Sequence, residues 1–155
     1  MKKPIKEFMT KNVIAVKESN TIKNLFKLMD EHVVLGVPVV NDKSQVIGIV
    51  TESDLITHFT TLKTPRGVNL LGSMVYLEDL NEFNEKLKDH CAEIVKDLMT
   101  DEVITIDSNA NLLDAINLMS KHDVTRLPVV DKNNKLLGII ARTDIVHQIA
   151  KLKRP

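Results

Sequence analysis

Apolar positions along this chain change period in the same order twice, ninety residues apart. The short run Val13 to Val16 predicts a strand, and Ser19 to Thr21 supplies helix-start chemistry before Ile22, Leu25, Phe26 and Met29, which recur at helical spacing. Val37 to Val40 and Val46 to Val50 are β-rich runs on either side of the polar turn Asn41-Asp42-Lys43-Ser44, and predict a hairpin. A second helix is expected over Thr51 to Phe59. The order then recurs: strand Val103 to Ile106, helix Asn111 to His122, strand Leu127 to Val130, turn Asp131 to Asn134, strand Lys135 to Ile140, and a helix from Arg142.

The two copies also agree residue by residue. Met9/Met99, Thr10/Thr100, His32/His122, Pro38/Pro128, Gly48/Gly138 and Asp54/Asp144 are among the identical pairs, all at one offset. Such a match is an internal repeat of a β-α-β-β-α unit. Two units packed about a pseudo-twofold axis give an α/β (α+β) fold, with residues 1–60 as the first repeat, 61–92 as loop and helical connector, and 93–155 as the second repeat. Within the connector, Thr61 to Gly67 reads as a loop. Asp79 to Met99 carries Leu80, Phe83, Leu87, Cys91, Ile94, Val95 and Leu98 near helical period and predicts a helix. Val68 to Leu77 is apolar enough to need burial, against the repeats or against a second subunit.

Composition narrows the functional classes. Lys plus Arg equals Asp plus Glu, at 21 each, so no basic footprint for nucleic acid and no polybasic membrane patch is expected. The longest apolar runs are too short to span a bilayer and the amino terminus has no apolar signal segment, so the chain is expected to be cytoplasmic. The single cysteine, Cys91, has no internal disulfide partner, which fits a reducing compartment.

The repeat, its h-P-V-V strand, and above all Gly48-Ile49-Val50-Thr51-Glu52-Ser53-Asp54 and Gly138-Ile139-Ile140-Ala141-Arg142-Thr143-Asp144 resemble the CBS domain, named after cystathionine β-synthase. Two such motifs in tandem resemble a CBS pair, or Bateman module, and the chain is expected to be a stand-alone CBS-pair protein. The resemblance implies two clefts between the repeats, frequent dimerisation, and an adenosine-containing ligand: AMP, ADP, ATP or S-adenosylmethionine.

The motif has its own physical logic. Where the strand ends near Val50 and a helix starts near Thr51, free N–H groups and the positive helix end suit a phosphate. Asp54 offers two acceptor oxygens to the two vicinal hydroxyls of a ribose. Thr51-x-x-Asp54 is also a capping-box pattern, which needs no ligand at all. Asp144 recurs where Ala141 lacks the hydroxyl cap, which favours the ligand reading.

Carried over from the family, the first cleft places Val13, Val34, Leu35, Gly36 and Pro38 around adenine, with Arg142, Thr143 and Asp144 at ribose and phosphate. The second uses Val103, Val124, Thr125, Arg126 and Pro128, with Thr51, Ser53 and Asp54 opposite. The second is expected to be the better site, because it keeps the hydroxyl pattern and has Arg126 as a phosphate-holding cation. Glu52 beside it disfavours long polyphosphates. Taken singly, the apolar members of both sets are also what a core would use.

No residue is assigned to catalysis or to a metal. His32 and His122 fall at helix ends, where the dipole favours them, and His90 and Cys91 project to different faces of one helix. No P-loop, G-x-G-x-x-G or H-E-x-x-H is present. The chain therefore reads as a non-enzymatic sensor or regulatory subunit, expected to be a homodimer acting on an unidentified regulated protein. The alternative is a ligand-free scaffold of the same fold that acts by dimerisation or docking.

Overall fold

The computed structural model describes residues 3–60, 62, 67–76 and 79–151. Each repeat builds a three-stranded sheet: β1 (Val16–Lys17), β2 (Gly36–Val40) and β3 (Val46–Thr51) in the first. β1 runs parallel to β2, and β2 antiparallel to β3. The helices are α1 (Ile22–His32) and α2 (Glu52–Thr60). Between the repeats come a hairpin, β4 (Gly67–Leu70) and β5 (Ser73–Tyr76), and the connector helix α3 (Leu80–Ala92). The second repeat follows as β6 (Ile106–Asp107), α4 (Leu112–His122), β7 (Arg126–Val130), β8 (Leu136–Ala141) and α5 (Arg142–Lys151). Its sheet has the same order and even the same irregularity, a register shift at Val129/Val130 that matches the one at Val39/Val40.

Local chemistry sets the helix ends. The Thr21 side chain accepts from Asn24 N–H at 3.2 Å, and Asn111 with Asp114 forms a complete capping box at the start of α4. α1 and α4 end on His32 and His122, followed by left-handed residues Val33 (φ 52°) and Asp123 (φ 50°). α1 buries Ile22, Leu25 and Met29, the last two in the core of the first repeat, and α4 buries Leu112, Ala115 and Met119 in the core of the second.

The repeats exchange their leading segments. Ile5, in a short 3-10 turn over Ile5–Glu7, is fully buried among Ile106, Leu112, Leu127 and Ile140 of the second repeat. Val95, in the matching turn Val95–Asp97, is fully buried among Val16, Leu25, Val37 and Val50 of the first. Thr10 then bridges to Ile139 through paired backbone hydrogen bonds of 2.9 and 3.0 Å, and Thr100 bridges to Ile49 in the same way at 3.0 Å. The equivalent positions Gln45 and Lys135 bridge to each other, which marks the pseudo-twofold axis between the two hairpin turns.

Two expectations change, and two fall largely outside the described residues. Only Val16–Lys17 and Ile106–Asp107 form the first strand of each repeat, because Val13 to Ala15 and Val103 to Thr105 have no ladder partner and run past the sheet. The connector helix stops at Ala92 rather than Met99. Glu93 turns extended, its carbonyl takes the Ile22 N–H at 2.8 Å, and Val95 N–H bonds the Asn20 carbonyl at 2.8 Å, so the first repeat claims this backbone. The loop over 61–67 lies outside the described residues apart from Leu62 and Gly67. Segment 67–76 is a hairpin; the burial expected of its apolar side chains lies outside the described residues, except that Leu71 at the turn is fully exposed.

Candidate functional site

The segment exchange carries each leading segment to the end of the other repeat's hairpin, where the motif helix begins. At the β3–α2 junction, Asp54 Oδ2 accepts from Thr51 N–H at 2.7 Å and from Thr51 Oγ1 at 2.9 Å. Its Oδ1 lies 3.4 Å from the Thr100 hydroxyl, on the segment donated by the second repeat. At β8–α5, Asp144 Oδ2 accepts from Ala141 N–H at 2.8 Å.

These bonds revise one step of the motif argument. The cap that Asp54 and Asp144 provide needs only a backbone amide, so the loss of the hydroxyl at Ala141 does not weaken it. Both aspartates cap their own helix with one oxygen. A carboxylate has a second oxygen that can still accept, and that of Asp54 faces Thr100.

The remaining predicted residues divide by burial. Val13, Val34, Val103 and Val124 are half-buried, Val34 and Val124 resting on the core of their own repeat. Leu35, Thr125, Ser53 and Thr143 are exposed. Pro38 and Pro128 are fully buried in the middle of β2 and β7, and so shape the strands without presenting surface to a cleft.

Arg126 joins the two repeats. It begins β7, its guanidinium donates to Glu52 Oε2 on α2 at 3.2 Å and to Thr125 Oγ1 at 3.0 Å, and only 14% of its side chain is exposed. Its stem lies over Gly36, the equivalent position in the first repeat, where a Cβ would come within 2.7 Å of Arg126 Cδ. Arg126 therefore meets the α2 motif at Glu52, which already engages the arginine charge. Arg142 turns the other way. It donates to Asp123 Oδ1 at 3.3 Å and lines a groove of about 400 Å³ between α4 and α5 with Ile116, Met119 and Ile145.

Sequence reasoning missed Thr100. Its identity with Thr10 was visible in the repeat, but only the exchange of segments shows that it reaches Asp54. Away from the clefts, Lys17 hydrogen-bonds Asp42 and holds its carboxyl below the ordinary aspartate range.

Residues 5–60 and 95–151 each match the CBS domain. The chain belongs to the CBS domain family. Among relatives, the uncharacterized protein MJ1426 of Methanocaldococcus jannaschii is 31% identical over 94% of this chain and 90% of its own length. The chloroplastic CBS domain-containing protein CBSX2 of Arabidopsis thaliana is 30% identical over 96% of this chain, which spans 64% of that protein. A crystal structure of CBSX2 in complex with AMP superposes with a TM-score of 0.73 at 28% identity, covering 98% of this chain and 99% of that one. The CBS domain pair of MJ0100, in complex with 5′-methylthioadenosine and S-adenosyl-L-methionine, gives a TM-score of 0.73 at 20% identity, over 97% and 98% of the two chains, and so shares the fold. The domain pair expected from the internal repeat is thus the architecture of solved CBS pairs. Among the described residues, no helix is long and apolar enough to cross a membrane.

Proposed function

We propose that this CBS pair is a regulatory module that binds an adenosine-containing ligand in the clefts between its repeats, with Asp54 and Asp144 reading the ribose. The observation that carries this reading is the construction of the Asp54 site from both repeats: a carboxylate capped by Thr51 on one oxygen and facing Thr100 of the exchanged segment with the other. A ligand there touches both repeats at once. Any partner that prefers one arrangement of the repeats then feels its binding as a coupling free energy. The AMP found in the CBSX2 crystal structure supports the ligand class.

Val13, Val34, Leu35 and Gly36 would flank the base in one cleft, with Thr143 and Asp144 opposite, and Val103, Val124 and Thr125 in the other, with Thr51, Ser53 and Asp54 opposite. Arg126 reaches a phosphate only by exchanging Glu52 for it, which favours AMP, ADP or S-adenosylmethionine over ATP. The test is a thermal-shift screen against these four ligands. A ligand at about a hundred times its dissociation constant adds roughly 2.7 kcal/mol if it binds only the folded protein, and the shift should disappear in Asp54→Asn or Asp144→Asn. No shift with any of them contradicts the proposal.

One observation favours a second reading, association without a ligand. The equivalent residues Ile56 on α2 and Val146 on α5 are 66% and 62% exposed, and Ile149 beside Val146 is 49% exposed. This is the helical face through which a homodimer would form, and it is compatible with ligand binding in the clefts.

A further inference from the structure

The last turns of α2 and α3 meet at His58, His90 and Glu93, whose ligand atoms all lie within 4.8 Å of one another. His58 Nε2 is 3.5 Å from Glu93 Oε2, and His90 Nδ1 is 3.9 Å from Glu93 Oε1. The imidazole centroids are 5.0 Å apart, and the His58 ring stands edge-on to Phe59 at 5.2 Å. The three side chains are 15%, 23% and 39% exposed, so the cluster is sheltered yet open to solvent on one side.

Each member is held in place by its element. His90 and Glu93 are three residues apart at the end of α3, and the Glu93 backbone is pinned to Ile22 by the 2.8 Å hydrogen bond that stops the helix. His90 Nδ1 lies 3.1 Å from the Lys86 carbonyl.

A His58–Glu93 ion pair alone would use one imidazole. The second imidazole converging on the same carboxylate is what distinguishes a metal shell. Around a tetrahedral zinc ion, neighbouring nitrogen and oxygen ligands sit about 3.4 Å apart, so side-chain shifts of roughly 1 Å would close this cluster. Two nitrogens and one carboxylate suit zinc, cobalt or nickel, whereas magnesium and calcium take oxygen shells.

We propose that His58, His90 and Glu93 bind one divalent transition-metal ion per chain, with a solvent position left in its shell. The ion would fasten the end of α2 to the connector. His58 lies one turn beyond Asp54 on α2, so metal occupancy would stiffen the helix that presents Asp54, although the metal site stands whether or not the clefts take nucleotide.

The test is titration of the full chain with Zn²⁺ against a chromophoric chelator, paired with the visible absorption of Co²⁺ added in place of zinc. One equivalent should bind, and His90→Gln and Glu93→Gln should each weaken it by at least about tenfold while helical circular dichroism is retained. Cys91→Ser is the control. Cys91 lines the groove on the α1 side of α3 with Thr21 and Leu87, so its loss should change neither affinity nor Co²⁺ spectrum. The proposal is overturned by absent stoichiometric binding, by affinity unchanged in both ligand variants, by binding lost in Cys91→Ser, or by Mg²⁺ competing on equal terms.

Discussion

Two positions at equal rank in the repeat show how a single residue sets local energetics. Val33 and Asp123 both end their helices in the left-handed region, with φ of 52° and 50°. An aspartate tolerates that conformation, whereas a β-branched valine is strained in it. Val33 is also 87% exposed and so gains little by packing. Val33→Asn should therefore stabilise the protein by about 1 kcal/mol, read from urea denaturation, and an unchanged midpoint would show that the strain is absorbed elsewhere. The ion pair at Arg126 gives a second outcome at this scale. Glu52→Gln should release the guanidinium and raise the affinity for AMP several-fold while leaving that for adenosine unchanged; equal effects on both would remove Arg126 from the phosphate site. The aspartates themselves were legible from the repeated G-h-h-x-x-x-D pattern. Their capping bonds were not fully so, because the bond to the Ala141 amide depends on backbone geometry that a hydroxyl-based argument overlooks.

Among the elements, the exchanged segments explain why glycine stands at both position 48 and position 138. The incoming chain crosses β3 so closely that a Cβ on Gly48 would lie 2.7 Å from Met99 Sδ and 3.1 Å from the Thr100 carbonyl. At Gly138, the Thr10 carbonyl would be 2.9 Å away. Gly48→Ala should cost about 1–3 kcal/mol by forcing these segments apart. Because Thr100 moves with Met99, ligand affinity should fall with stability, and a loss of neither would place the crossing elsewhere. Hydrophobic period located α1 and α4, β-rich runs located the hairpin of each repeat, and helix-start chemistry placed α2. The period overran the connector helix, since Ile94, Val95 and Leu98 continue a helical spacing while their backbone groups are claimed by the first repeat. That claim is a long-range event, and local periodicity carries no trace of it.

The whole molecule is two units that neither repeat completes alone, because Ile5 closes the second core and Val95 the first. Ile5→Ala should cost about 2–5 kcal/mol and should loosen the second repeat, measured as faster amide exchange over α4 and β7; protection lost only in the first repeat would contradict the exchange. The internal repeat implies that two like units pack together, and the pseudo-twofold bridge at Gln45 and Lys135 agrees with it. Which leading segment serves which unit could not be read, since both arrangements present the same pattern. Association is the next level. Ile56→Glu together with Val146→Glu should convert a dimer to a monomer in sedimentation, and a dimer that survives both changes would move the interface off α2 and α5.

Asp54 and Asp144 are proposed to read a ribose rather than merely cap their helices. Isothermal titration of AMP into the wild-type protein and into Asp54→Asn/Asp144→Asn separates the two roles, because asparagine keeps one acceptor oxygen for the cap and gives up the charge and the second oxygen. Saturable binding to the wild type is expected, with at least about a tenfold loss in the double variant from the lost charge-assisted hydrogen bonds and an unfolding midpoint nearly unchanged. Equal AMP affinity in both proteins, or no binding by the wild type, would contradict the ribose role.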